Sequence, residues 1–219
     1  MIPDRRDWPR PLWKAILWPL LFPLAAGLWR LLLPSRVEGL ARVPREGAFI
    51  VVSNHLSALD PPVLEFALRR AIRWMGKREI FERPLLGGFL RLIGCFQVNR
   101  DSVDRRAVLQ ALRVLEEGVP LGIFPEGHRS RTGALIRGRA GVGYFAARSG
   151  APLLPVGVSG AHGTALGRFW RTQVRVTVGE PFRLDELPEA SGGDQQAIAD
   201  AIMRRIAALL PEGLRGEYA

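Results

Sequence analysis

The chain has one cysteine, Cys95, and only two lysines, Lys14 and Lys77. A lone cysteine excludes an intrachain disulfide and a cysteine-based zinc site. The three histidines, at 55, 128 and 162, are too scattered for a local metal motif, so neither metal nor cofactor is expected. No Gly-x-Ser-x-Gly occurs. The nearest approach, Gly157-Val158-Ser159-Gly160-Ala161, ends in Ala and argues against a hydrolase nucleophile elbow. Neither lysine follows a glycine-rich stretch and precedes Ser or Thr, which excludes a P-loop. Internal repeats and long linkers are missing too, and Ser191-Gly192-Gly193 is the one flexible-looking break.

What remains is a basic, moderately apolar chain. With 219 residues and 47% apolar content it can build one sizeable core plus an appendage, and wholesale disorder is excluded. The net charge of +10 implies an anionic partner: nucleic acid, an acidic membrane surface or an acidic substrate carrier. Because lysine is so scarce, 29 of the 31 basic residues are arginine, the better bidentate phosphate ligand. Codon bias explains that preference equally well. Nucleic acid fits poorly, because the aromatics concentrate near the N-terminus instead of interleaving with arginines.

Four of the six tryptophans, at 8, 13, 18 and 29, lie in or beside the most apolar stretch, Leu12 to Leu33. Between Lys14 and Arg30 stand 15 uncharged residues, interrupted by Pro19 and Pro23. A membrane-spanning helix needs roughly 20. The reading favoured is a helical segment lying in the membrane interface, with Trp at headgroup depth and Arg5, Arg6, Arg10 and Lys14 facing anionic lipid. A kinked span with snorkelling Lys14 and Arg30 is the first rival. A signal peptide is the weakest, given the prolines and the missing disulfide chemistry. The chain therefore divides into residues 1–34, membrane-associating, and residues 35–219, the working domain.

From Ser35 onward short apolar runs at 48–53, 73–76, 95–98, 120–124 and 153–158 alternate with segments of helical periodicity. This predicts an α/β domain with a mixed, mainly parallel sheet and flanking helices. Val174, Val176 and Val178 alternate with Arg175 and Thr177, the pattern of a half-exposed edge strand. Ile198, Ile202, Ile206 and Leu209 share one face of a closing amphipathic helix over 194–209.

The first stretch that carries chemistry is Ala48 to Pro62. Phe49, Ile50, Val51 and Val52 predict a strand covered on both faces, and His55 follows just past its carboxyl end, where open α/β sheets bind ligands. His55 and Asp60, five apart, meet only if the chain turns back between them. Pro61 disfavours a helical Asp60, so Asp60 is expected as the N-cap of a helix from about Pro61 to Arg70, with Val63 as its N–H donor. A carboxylate-oriented imidazole is a general base. The bland alternative is a cap beside a polar strand end. The second stretch, Leu121 to Gly133, ends a strand in Phe-Pro-Glu-Gly and places a carboxylate with Arg129 and Arg131 on one loop. Such a loop suits a ligand with hydroxyl and phosphate groups, or is an ordinary solvated turn.

Asn54-His55-Leu56-Ser57-Ala58-Leu59-Asp60 resembles the N-H-x-x-x-x-D signature of the glycerolipid (lysophosphatidic acid) acyltransferases, and Phe124-Pro125-Glu126-Gly127-x-Arg129-Ser130 resembles their third motif at the usual separation. Gly94 to Arg100 looks like a loose second motif, departing from it at Gln97 and Asn99, and Leu153-Leu154-Pro155-Val156 resembles the short fourth motif, which lines an acyl groove or the core. Gly76-Lys77-Arg78-Glu79 is similar to the family's Lys-x-Glu step. The resemblance covers about residues 36–180. It implies a glycerolipid acyltransferase-like fold. It also implies transfer of an acyl group from acyl-CoA or acyl carrier protein to 1-acylglycerol 3-phosphate, at the cytoplasmic face of the cell membrane, with a lysophospholipid acceptor, an anionic membrane surface as partner and no nucleic acid. His55 and Asp60 would be catalytic, Arg100, Glu126, Gly127 and Arg129 would hold the acceptor, and Lys77 is a candidate oxyanion or substrate contact. Another acceptor, such as glycerol 3-phosphate or a lyso-aminolipid, and a non-catalytic lipid-binding module are the alternatives. His128 stands where the family usually has a small hydroxyl residue, either facing solvent or adding a cation to the phosphate site.

Overall fold

A computed structural model describes residues 35–92, 94–98, 104–160 and 174–219. The segment 1–34 and Arg100 lie outside the described residues. Seven strands form one sheet: β1 (Ser35–Glu38), β2 (Ile50–Ser53), β3 (Arg73–Lys77), β4 (Phe96–Val98), β5 (Leu121–Ile123), β6 (Leu153–Ser159) and β7 (Val174–Val178), in the order β1-β7-β6-β2-β5-β3-β4. Every pairing is parallel except β6 with β7. The mixed, mainly parallel sheet is as expected. Two details are not. The strand at 174–178 is internal, lying between β6 and β1, and β1 itself was not foreseen because its Ser-Arg-Val-Glu carries too little apolar pattern. The alternation in β7 is real nonetheless, with Val174, Val176 and Val178 buried and Arg175 exposed.

The helices are α1 (Asp60–Leu68), α2 (Arg78–Phe81), α3 (Pro84–Leu92), α4 (Arg105–Glu116), α5 (Val142–Ser149) and α6 (Gln195–Ala207). Capping explains two of the starts. Asp104 accepts from the amides of Arg106 and Ala107, and Asp194 from those of Gln196 and Ala197, satisfying donors that a helix N-terminus otherwise leaves orphaned. The apolar stripe of α6 buries Ile198, Ile202 and Ile206 as its periodicity predicts.

Side chains of β2 alternate between two cores. Ile50 and Val52 pack with α4, α5 and α6, whereas Val51 packs with Val63 and Leu64 of α1 and with Trp74. All of β2 is fully buried, and each such aliphatic side chain contributes about 1.5–3 kcal/mol. The two layers also decide where a site can form. After β2 the chain crosses one face to β3, and after β5 it crosses the other face to β6, so the connections leave these neighbouring strands in opposite directions. A crevice opens at the carboxyl ends of such a pair. The loops that line it are residues 54–59 and 124–130.

Candidate active site

The first loop begins by prolonging the sheet with a side chain. Asn54 Nδ2 donates to the Val158 carbonyl and Asn54 Oδ1 accepts from the Val158 amide, both at 2.8 Å, so a buried amide substitutes for one more rung between β2 and β6. His55 is thereby held at the strand's end. The chain then turns back, as the five-residue spacing requires, and Asp60 Oδ2 accepts from His55 Nδ1 at 2.8 Å, Leu56 N at 2.6 Å and Ser57 N at 2.8 Å.

Asp60 is not the N-cap expected from Pro61. Leu59 already has helical dihedrals, Asp60 is the first residue of α1, and the Val63 amide donates to the Leu59 carbonyl at 2.9 Å. The carboxylate finds its donors upstream instead, on non-helical residues whose amides point into the turn. Asp60 is wholly buried, with its three N–H donors gathered on one oxygen. With Nδ1 donating to Asp60, the His55 lone pair is on Nε2.

The second loop wraps the histidine. Its ring stacks on Phe124 at 4.0 Å and an interplanar angle of 10°, and Phe124 stacks on Trp74 at 4.9 Å. The His55 amide donates to Glu126 Oε1 at 3.0 Å, and the Ser130 amide donates to the His55 carbonyl at 2.8 Å. Gly127 turns the loop at φ +75°, and Arg139 lies so close across it that a Cβ would sit 2.7 Å from Arg139 Nε. Burial pushes the Glu126 carboxyl up to about 7, helped by the Asp60 carboxylate, while the amides of His55 and Ile136 pull it down.

The expected residues are therefore only partly brought together. His55 and Asp60 meet, and Gly127 lies on the adjoining loop. Arg129 and His128 are exposed on that loop, with His128 Nδ1 3.3 Å from the Arg129 carbonyl. Glu126, expected at an acceptor, is instead 1% exposed beneath the His55 turn. Lys77 ends β3 in an exposed ion pair with Glu79 at 3.0 Å. Pro155 of the fourth motif is in the core strand β6. A cavity of about 880 Å³ opens beside Phe124, Pro125 and Gly127, walled by apolar side chains of β4, α4 and α5, with Arg105 and Arg139 as its charged lining residues. Sequence reasoning missed Asn54, Ser130 and Arg139. Only the first two carried a signal, as members of the two motifs.

A family model described as Acyltransferase matches residues 34–159. The chain belongs to the acyltransferase family. The 1-acyl-sn-glycerol-3-phosphate acyltransferase of Borreliella burgdorferi is 30% identical over 131 residues, 59% of this chain and 52% of that protein. The Bacillus subtilis protein of the same name is 27% identical over 174 residues, 78% of this chain and 85% of its own. The Chlamydomonas reinhardtii protein is 31% identical over 177 residues, 79% of this chain and 52% of its own. The match thus spans about half the length of two of these relatives and most of the third. The crystal structure of the 1-acyl-sn-glycerophosphate (LPA) acyltransferase PlsC from Thermotoga maritima has the same fold, with a TM-score of 0.66 at 24% identity over 95% of this chain and 84% of that one. In the acyltransferase described above, no helix among the described residues is long and apolar enough to cross a membrane, and no three His, Cys, Asp or Glu side chains gather there as metal ligands.

Proposed function

We propose that this acyltransferase moves a fatty acyl group from an acyl thioester to the free hydroxyl of 1-acylglycerol 3-phosphate, giving phosphatidate. The observation that carries the reading is the buried Asp60 carboxylate on His55 Nδ1, at the crevice between β2 and β5 and beside an apolar cavity. The names of the relatives support the acceptor.

An imidazole is too weak a base to ionise an alcohol before reaction, so proton removal is concerted with attack. The acceptor O–H gives its proton to His55 Nε2 as its oxygen bonds to the thioester carbonyl carbon. Asp60 holds the ring and stabilises the imidazolium. Collapse of the tetrahedral intermediate breaks the C–S bond, and the departing thiolate of CoA or acyl carrier protein takes the proton from Nε2. Negative charge on the carbonyl oxygen needs a donor. Lys77 is the candidate, because β2, β5 and β3 are parallel neighbours and Lys77 emerges at the same sheet edge as His55. Its exposed pair with Glu79 is weak and releases it easily.

Arg129 and Gly127 of the second loop, together with Arg100, are proposed to receive the glycerol phosphate, and the cavity to receive an acyl chain, its volume being within the usual range for ligand pockets. Residues 1–34 are proposed as the membrane-associating segment on residues 35–219 as the catalytic domain, the net charge suiting an anionic bilayer. Incubation with mixed acyl-CoA and acyl carrier protein donors and lysophosphatidate, followed by mass spectrometry of the lipids, tests the proposal. Phosphatidate is expected. Its absence, with acylation of glycerol 3-phosphate or a lyso-aminolipid in its place, would reassign the acceptor.

A further inference from the structure

We infer that the Phe124–Ser130 loop is a clamp that positions His55, and that Glu126 is its positioning residue and not a ligand of the acceptor. The inference rests on the acyltransferase reading and deepens it.

The register of the sheet shows what the loop replaces. Ile50 pairs with Leu121, Val51 with Gly122 and Val52 with Ile123, so three further steps along both strands would set His55 opposite residue 126. The ladder has ended by then, and the Pro125 carbonyl, which the parallel register would offer to the His55 amide, accepts from the Arg139 amide at 2.9 Å instead. The part-buried His55 N–H would be left without its sheet acceptor, at the cost of an unsatisfied donor. Glu126 supplies the acceptor from its side chain, Oε1 to His55 N at 3.0 Å. Four residues on, the Ser130 amide donates to the His55 carbonyl at 2.8 Å. Phe124, two residues before Glu126, covers one face of the ring. One loop thus holds both main-chain polar groups and a ring face of His55, while Asp60 holds Nδ1.

Burial argues the same way. At 1% exposure Glu126 presents almost no surface to an acceptor. Arg129 of this loop is exposed and the glutamate is not, so the motif separates the two tasks, holding the base from beneath and meeting an anion from above.

The test is steady-state kinetics with acyl thioester and lysophosphatidate on Glu126→Ala, Glu126→Asp and Glu126→Gln. Alanine removes the acceptor, aspartate withdraws it by one methylene, and glutamine keeps a carbonyl oxygen at the same reach. Displacement of a reacting group by about 1 Å costs about 10²-fold, so kcat should fall by about that factor in Ala and by somewhat less in Asp. Gln should recover most of the loss, and the acceptor KM should stay within about threefold throughout. A rise in acceptor KM of tenfold or more at unchanged kcat would overturn the inference and return Glu126 to the acceptor site. Hydrogen exchange at the His55 amide provides a readout independent of turnover. Strong protection in the wild type that is lost in Glu126→Ala supports the clamp, and equal exchange in both sinks it. If the wild type acylates no lyso acceptor, the functional proposal fails by itself, and the exchange arm still decides the clamp.

Discussion

The two loops at the crevice carry one carboxylate each and treat it differently. Asp60 has three N–H donors on a single oxygen, two from backbone amides and one from the imidazole, and is buried completely. Glu126 is almost as deeply buried but has fewer donors, and burial outweighs them, raising its carboxyl from 4.5 to about 7. The first loop gathers its donors on the oxygen that also holds the imidazole. The second keeps an oxygen that accepts from the His55 amide, which it does in either protonation state.

The largest effects come from breaking the first loop. His55→Ala should lower kcat by at least ~10²-fold with the fold intact, and Asp60→Asn should follow it. Near-normal turnover in a folded His55→Ala protein would remove the general base from the mechanism. A third strand end sharpens the contrast. Lys77→Met should lower kcat by about 10²-fold if its ammonium reaches the thioester oxygen, and an unchanged kcat would leave that oxygen to backbone amides.

The second loop should show its effect in stability and pH. A folded-state pKa above the ordinary value means that the native state binds this proton more tightly than the unfolded chain. The resulting stabilisation is complete below about 4.5 and is lost as pH rises through about 7. Glu126→Gln has no such proton. Relative to the variant, the wild type should lose on the order of 3 kcal/mol between pH ~4 and ~8. Parallel denaturation midpoints for the two proteins across that range would mean that Asp60 and burial do not raise this carboxyl.

The smallest effect expected is at the turn. Gly127→Ala should cost ~1–2 kcal/mol for a left-handed backbone, plus whatever displacement of Arg139 adds. Gly47→Ala is the control, with φ +74° and nothing within 4 Å of the new Cβ. Equal melting shifts in the two variants would show that Arg139 simply moves aside.

Much of this was legible in the chain. The uncharged β-branched run before Asn54 marks a doubly covered strand, and its end marks the place for His55, because only an interior strand tolerates no polar face. Asp194 marks the start of the last helix in the same local way. What could not be read was anything depending on a partner distant in sequence. Ser35–Glu38 becomes a strand because Val174–Val178 offers it a ladder. Val174–Val178 looks like an edge because its alternation reports which faces are covered and not which edges are paired.

The site divides along the same line. Residue order alone determined that a histidine and an aspartate five apart follow a buried strand, and that a Phe-Pro-Glu-Gly turn follows another, since strand and turn propensities act over a few residues. Only the tertiary structure decided that these strands are neighbours, that Asp60 takes its donors from Leu56 and Ser57 and not from Val63, and that Glu126 meets the His55 amide. Hydrogen bonds between residues 71 positions apart depend on sheet register, and register is set by packing across the whole core.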